Sequence, residues 1–176
     1  MKRVLTAVAF LAVLGNGLTI TSKTFQDGKP LHLSQVYYQC GGDNISPDIN
    51  WTDLPDGTKY IGIVIWDPDA PKKGGWYHWV IVNIPAEKEG IPQGAGSPQS
   101  PHFRIGMQFT NDYGELGYGG PCPPAGELHH YKLTLYALPD RLDVAWDTPT
   151  SKVLSLLKEE KIGEKSITAL YKGGWK

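Results

Sequence analysis

The chain carries almost no net charge: 17 Lys and Arg stand against 18 Asp and Glu, for a formal −1 at pH 7. A protein that binds duplex nucleic acid needs a surplus of cations to displace counterions from phosphates, and that surplus is missing. Nor is there a polybasic run of the kind that holds a protein on anionic lipid. Dedicated catalytic and metal signatures are absent as well. The chain has no H-E-x-x-H, C-x-x-C or H-x-D, no G-x-S-x-G elbow, and no paired Glu suited to glycoside hydrolysis. Cysteine is scarce, with two in 176 residues. No internal repeat and no linker divides the chain, so one domain with a proper core is expected.

What is abundant is glycine (21) and proline (14), clustered between apolar runs. That pattern favours many turns joining short strands over a helical bundle.

The first residues read as an address. Met1, Lys2 and Arg3 give a cationic start, residues 4–14 form an uncharged apolar run, and Gly15, Asn16 and Gly17 follow. This is the layout of a secretory signal peptide cleaved after Gly15 or Gly17. The run is too short to span a bilayer, which takes ~20 apolar residues. No Cys follows it, so a lipid-anchored form is not expected. The alternative is a buried first strand or helix of a cytoplasmic protein. Residues 1–17 are therefore read as a signal segment and 18–176 as the domain, periplasmic or secreted if the segment is removed. In an exported protein Cys40 and Cys122 suggest one disulfide. Two buried free thiols are the other reading, because Cys is among the most buried residue types.

Strand signals recur along the domain. Residues 18–22 alternate apolar and polar, and Ser46-Pro47 leads into a run at 49–51. Residues 60–66 and 77–84 are β-branched and aromatic on both faces, as expected of central strands covered on each side. The first stops at Asp67-Pro68-Asp69-Ala70-Pro71, where two prolines remove ladder donors. Residues 90–101 form a long Gly-, Pro-, Ser- and Gln-rich loop, and 111–126 are nearly all turn formers. In the strand at 129–138 the period of two puts His129, Tyr131, Leu133 and Leu135 on the apolar, inward face. His130, Lys132 and Thr134 share the other. One helix is expected at 150–161, capped by Thr150 or Ser151 and ended by Gly163, with a short last strand at 166–171. Many strands and one late helix imply a mainly β, antiparallel β-sandwich with a short C-terminal helix.

Polar residues sit at the ends of these very apolar strands. Asp67 and Asp69 follow one, His78 stands at the mouth of the next, and His129 opens a third on its inward face. Such residues can build the floor of a pocket on rigid elements. Gly119-Gly120 would let backbone approach a ligand and offer N–H groups. Trp66, Trp76 and Trp79 read as core or pocket wall, His130 as a surface residue, and His32 and His102 carry no signal.

Four segments in order resemble the phosphatidylethanolamine-binding protein family, most closely its bacterial and archaeal Raf kinase inhibitor-like branch. They are Asp67-Pro68-Asp69-Ala70-Pro71, His78-Trp79-Val80-Ile81-Val82-Asn83-Ile84-Pro85, Tyr118-Gly119-Gly120-Pro121-Cys122-Pro123-Pro124-Ala125-Gly126 and His129-His130-Tyr131. The resemblance spans roughly residues 18–172. It implies a large antiparallel sheet packed on a smaller one, and a pocket that accepts phosphate-like groups. Its implied lining is Asp67, Asp69, His78, Gly120, Pro121, His129 and Tyr131. Trp79 and the Cys-containing turn belong to the microbial branch, so kinase inhibition does not transfer with the likeness.

The expectation is a non-enzymatic binding protein, without metal or cofactor, for a small phosphate- or carboxylate-containing ligand. His78 and His129 would donate N–H bonds to it, while one Asp orients a His. Three rival readings stand beside it. Asp67, Asp69, His78 and His129 are acceptable zinc or iron ligands by type. Cys122 near His129 suggests a nucleophile with its base, although it lies between two prolines and away from any helix N-terminus. A secreted serine protease inhibitor would present the 90–101 loop to a protein partner.

Overall fold

The computed structural model describes residues 17–174, so the expected signal segment lies, apart from Gly17, outside the described residues. The strands are β1 Thr19–Thr21, β2 Ile49–Thr52, β3 Tyr60–Asp67, β4 Trp76–Pro85, β5 Gly90–Ile91, β6 Met107–Gln108, β7 Leu128–Leu138 and β8 Gly163–Lys172. A helix, α1 Thr150–Glu160, precedes the last strand. Five strands form a sheet in the order β6-β4-β3-β7-β8, and β1-β2-β5 form a second. Every pairing between these strands is antiparallel.

The two faces of the large sheet explain why β3 and β4 are apolar throughout. One face meets the small sheet, where Ile61, Ile63, Ile65, Trp79, Ile81 and Leu133 pack against Ile20, Ile49, Trp51 and Ile91. On the other face Val64, Val80, Val82 and Leu138 meet Val153 and Leu157 of α1. Each fully buried aliphatic side chain there is worth ~1.5–3 kcal/mol. Sheets and helix together hold β3, β4 and β7 rigidly, and the start or end of each of these strands lies at one end of the sandwich.

α1 begins and ends differently from the sequence expectation. Its first amide bonds, from Lys152 and Val153, run to the carbonyl of Pro149. The Thr150 hydroxyl donates to the Thr110 carbonyl instead of capping, and no side-chain cap forms. Gly163 does not terminate the helix. It opens β8, packed so closely on Pro55 that a Cβ would meet the proline ring. β8 pairs with β7 from Leu128 to Ala137, which makes the last strand longer than residues 166–171. Proline at 149 needs no amide partner, and pairing with a long central strand outweighs glycine's weak local preference for a helix end.

The 90–101 segment is folded down onto the molecule. Its first residues form β5, and Gly94 and Gly96 donate to the carbonyl and hydroxyl of Ser46. Ala95 is buried, with its carbonyl accepting from the Gln108 amide. Cys40 and Cys122 are joined, 5.6 Å apart at Cα, and fasten the turn Tyr38–Cys40 to residues 121–124 across 82 positions of sequence. Among the described residues no helix is long and apolar enough to cross a membrane.

Candidate functional site

Antiparallel pairing brings the end of β3 to the start of β4, with Asp67 opposite Trp76. On β4 Trp76 and His78 both line the cleft, at a register irregularity where Ile65 pairs with Trp79 but Trp66 with Tyr77. The start of β7 supplies His129. Over these ends folds the 111–126 segment, which contributes Tyr113, Cys122, Pro123 and Pro124. A cleft of about 310 Å³ results, lined by these residues with Asp67, Ala70, Pro71 and Lys72.

The carboxylate of Asp67 is fully engaged. One oxygen, Oδ1, accepts the amides of Asp69 (2.8 Å) and Ala70 (3.2 Å) and so shapes the Pro-rich turn. The other, Oδ2, accepts from Nδ1 of His129 at 2.7 Å. Nε2 of His129 lies 3.2 Å from a Glu127 carboxylate oxygen. Burial opposes protonation of His129, but the hydrogen bonds to Asp67 and Glu127, with the nearby charge of Asp69, outweigh it and raise its pKa above the ordinary imidazole value. Both ring nitrogens are taken by carboxylates, which leaves neither to a metal. Lys72 is likewise paired, 2.6 Å from Asp112, and lies 5.7 Å from the centre of the Trp76 ring.

His78 is held by a different logic. Its backbone carbonyl accepts from Gly119 N–H (2.9 Å), and its Nδ1 donates to the Gly119 carbonyl at 2.6 Å. Burial, only partly offset by that carbonyl and by Asp67 and Asp112, pushes its pKa down to about 4. Near neutral pH the ring is uncharged, its hydrogen is on Nδ1, and Nε2 presents a lone pair. The expectation that His78 donates to a ligand is therefore reversed at this atom. Tyr131 lies against the ring, centroids 5.2 Å apart and planes at 68°. Three buried polar atoms here have no hydrogen-bond partner: Trp76 Nε1, His78 Nε2 and the Tyr131 hydroxyl. Trp76 and His78 line the cleft, and Tyr131 packs against His78. A buried group left unpaired costs about 1–3 kcal/mol, and a bound molecule that paired with it would recover that.

Asp67, His78 and His129 thus line the cleft, and Tyr131 lies beneath it. Three further residues of the expected lining are elsewhere. The Asp69 carboxylate faces outward and accepts from both the backbone amide and the ring of His130, at 2.7 Å each. Gly120 donates its N–H to Asn44 Oδ1 at 2.7 Å, so that amide is not offered to a ligand. The glycine is needed for packing, since a Cβ would overlap the Gln35 carbonyl. Pro121 accepts from Tyr37 N–H at 3.0 Å. Trp76, which the sequence reads as core or pocket wall, lines the cleft, whereas Tyr113 and Lys72 are not singled out by the sequence. For Trp76 the signal is a large aromatic side chain at the start of a very apolar strand. For Tyr113 there is none. It is fixed by folding of the turn-rich segment, with its hydroxyl on the Gly120 carbonyl (2.9 Å) and its ring stacked on Tyr37 at 4.0 Å.

Comparison with known proteins agrees with this geometry at the level of family and fold. A family model for phosphatidylethanolamine-binding protein matches residues 21–172. The UPF0098 protein YbcL of Escherichia coli K12 is 37% identical over 157 residues, covering 86% of each chain. Its crystal structure, described as that of a member of the mammalian PEBP family, superposes with a TM-score of 0.83 at 36% identity over 88% of this chain and 98% of YbcL. A phosphatidylethanolamine-binding protein homologue from Chlamydia trachomatis, CT736, gives 0.75 at 27% identity over 89% of this chain and 98% of its own. LppC of Mycobacterium tuberculosis H37Rv, a protein named as a lipoprotein, is 35% identical over 159 residues, which is 89% of this chain and 73% of LppC.

Proposed function

This chain belongs to the phosphatidylethanolamine-binding protein family, and from that premise we propose that it is a non-enzymatic binding protein. Its cleft takes a small ligand bearing a phosphate or similar oxyanion. The observation that carries this reading is the pair of unpartnered buried polar atoms on residues lining a cleft built on strand ends, Trp76 Nε1 and His78 Nε2, with the unpartnered Tyr131 hydroxyl on a ring packed against His78. Of the three, Trp76 Nε1 and the Tyr131 hydroxyl are neutral donors able to bind oxygen. Neutral donors suit this site, because Asp67, Glu127 and Asp112 already balance His129 and Lys72 in ion pairs. The anion is held by oriented dipoles with little help from free positive charge.

A purely binding role is supported by the state of the reactive groups. Cys122 is tied up in a disulfide and has no thiolate to offer. His129 is held between two carboxylates and has no free nitrogen for general-base work. The disulfide fits an oxidising compartment, as does the apolar N-terminal segment, and an exported location is part of the proposal. The likeness to a lipoprotein-named relative points the same way.

The test is heteronuclear NMR of the full chain titrated with inorganic phosphate and with O-phosphorylethanolamine. Shifts should concentrate on the Trp76 indole N–H, the His78 ring and the neighbours of Tyr131. Millimolar ligand that leaves all three unmoved rejects the anion cleft, and a surface-mediated role through a protein partner would then lead.

A further inference from the structure

The hydrogen-bonding state of His78 restricts which anion the cleft can hold. Nδ1 lies 2.6 Å from the Gly119 carbonyl oxygen. A carbonyl only accepts, so the imidazole hydrogen sits on Nδ1 and the lone pair on Nε2. Nε2 is buried and has no partner in the protein. The charged and titratable groups around the ring come from β3 (Asp67), β7 (His129 and Tyr131), and the segments that close the cleft (Lys72, Asp112 and Tyr113). Both carboxylates among them are committed elsewhere. Asp67 is committed to His129 and to two loop amides. Asp112 is committed to Lys72 and to the Tyr77 amide. Burial of the ring accordingly keeps it neutral down to about pH 4.

A fully deprotonated oxyanion would set its lone pairs against that of Nε2. The complementary group accepts from Trp76 Nε1 and donates one hydrogen to His78 Nε2, the two unpartnered atoms on residues that line the cleft. We propose that the cleft selects the monoanion of a phosphate monoester, whose P–O–H donates to His78 Nε2, over anions of equal charge that carry no hydrogen. This rests on the anion-cleft reading above and names the ligand class within it. Carboxylates, sulfate esters and phosphodiesters, the last including the headgroup of an intact phospholipid, have no such hydrogen near neutral pH. A phosphate monoester keeps it up to its second ionisation at pH ~6.

Methyl phosphate and methyl sulfate form the decisive pair. At about pH 5.5 both are methyl esters of similar shape carrying mainly a single charge, and they differ by one hydrogen. Dimethyl phosphate stands for the lipid diester. On the full chain, methyl phosphate should bind at least about tenfold more tightly than the other two, the equivalent of one unmade hydrogen bond. Its affinity should decline as pH rises past ~6, with the ligand's own ionisation. The ¹⁵N resonance of His78 Nε2 should remain that of an unprotonated nitrogen in the complex. Equal affinity for methyl sulfate, or an Nε2 resonance that becomes that of a protonated nitrogen, overturns the proposal while leaving an anion cleft. If none of the three ligands moves any cleft resonance, the anion cleft itself is rejected and this inference with it.

Discussion

Oδ2 of Asp67 lies 2.7 Å from Nδ1 of His129, with both side chains 4% exposed, and this bond joins the end of β3 to the start of β7. The same carboxylate organises the Pro68–Pro71 turn through its other oxygen. One buried side chain therefore shapes the cleft wall and sets the proton on the histidine beside it.

Asp67→Asn should lower the His129 pKa and weaken the fold. Because the folded-state value is raised, protonated His129 contributes stability in full below ~6.5, and the contribution is lost as pH rises through the folded value. In the variant that alkaline loss should shrink, and overall stability should drop by about 3 kcal/mol, as for other broken buried pairs. An NMR titration of the imidazole and urea denaturation read the two effects. A His129 pKa that stays where it was would exclude Asp67 as the group that holds its proton.

His78 predicts the opposite slope on the acid side. Its folded value of about 4 lies below the unfolded ~6.5, so the unfolded chain takes up the proton first. The stability it contributes is complete above pH ~6.5 and declines as pH falls towards 4, by about 3 kcal/mol in all. The slope should disappear in His78→Gln, measured as denaturation midpoint against pH. A wild-type midpoint that is flat over this range would contradict a buried, neutral His78.

Tyr131→Phe separates folding from binding. The hydroxyl has no partner in the protein, so removing it relieves an unpaired buried group and should leave stability unchanged or raise it by about 1 kcal/mol. Phosphate affinity, read by NMR titration, should fall several-fold. A clear loss of stability with unchanged affinity would make Tyr131 a structural residue only.

Replacing Cys40 and Cys122 together by serine should cost about 4.5 kcal/mol, the chain-entropy value for a cross-link spanning 82 positions. Thermal unfolding compared with the parent measures it. Since Cys122 lines the cleft, ligand-induced shifts at Trp76 and His78 should also broaden. A double variant that matches the parent in both respects would show that the segment is held without the bond.

Much of the architecture is decided by local pattern. The run of β-branched and aromatic residues makes 60–66 a central strand, because only a sheet covered on both sides buries both of its faces. The period of two along β7 turns His129 and Tyr131 inward and His130 outward, since successive side chains point to opposite faces whatever lies across from them. The motif-bearing segments likewise carry the family in their order along the chain. Partnership across the chain is a different matter. Whether Asp69 meets His129 or His130, whether the Gly120 amide is offered to a ligand or spent on Asn44, and that Tyr113 walls the cleft are outcomes of packing. The protonation of His78 belongs with them. Gly119 is 41 residues away in sequence, and only its carbonyl, brought to 2.6 Å by the fold, fixes the hydrogen on Nδ1. Alternation decides which way a side chain points, but the state of a buried polar group is set by whichever atom arrives to pair with it, and that is decided only by the tertiary structure.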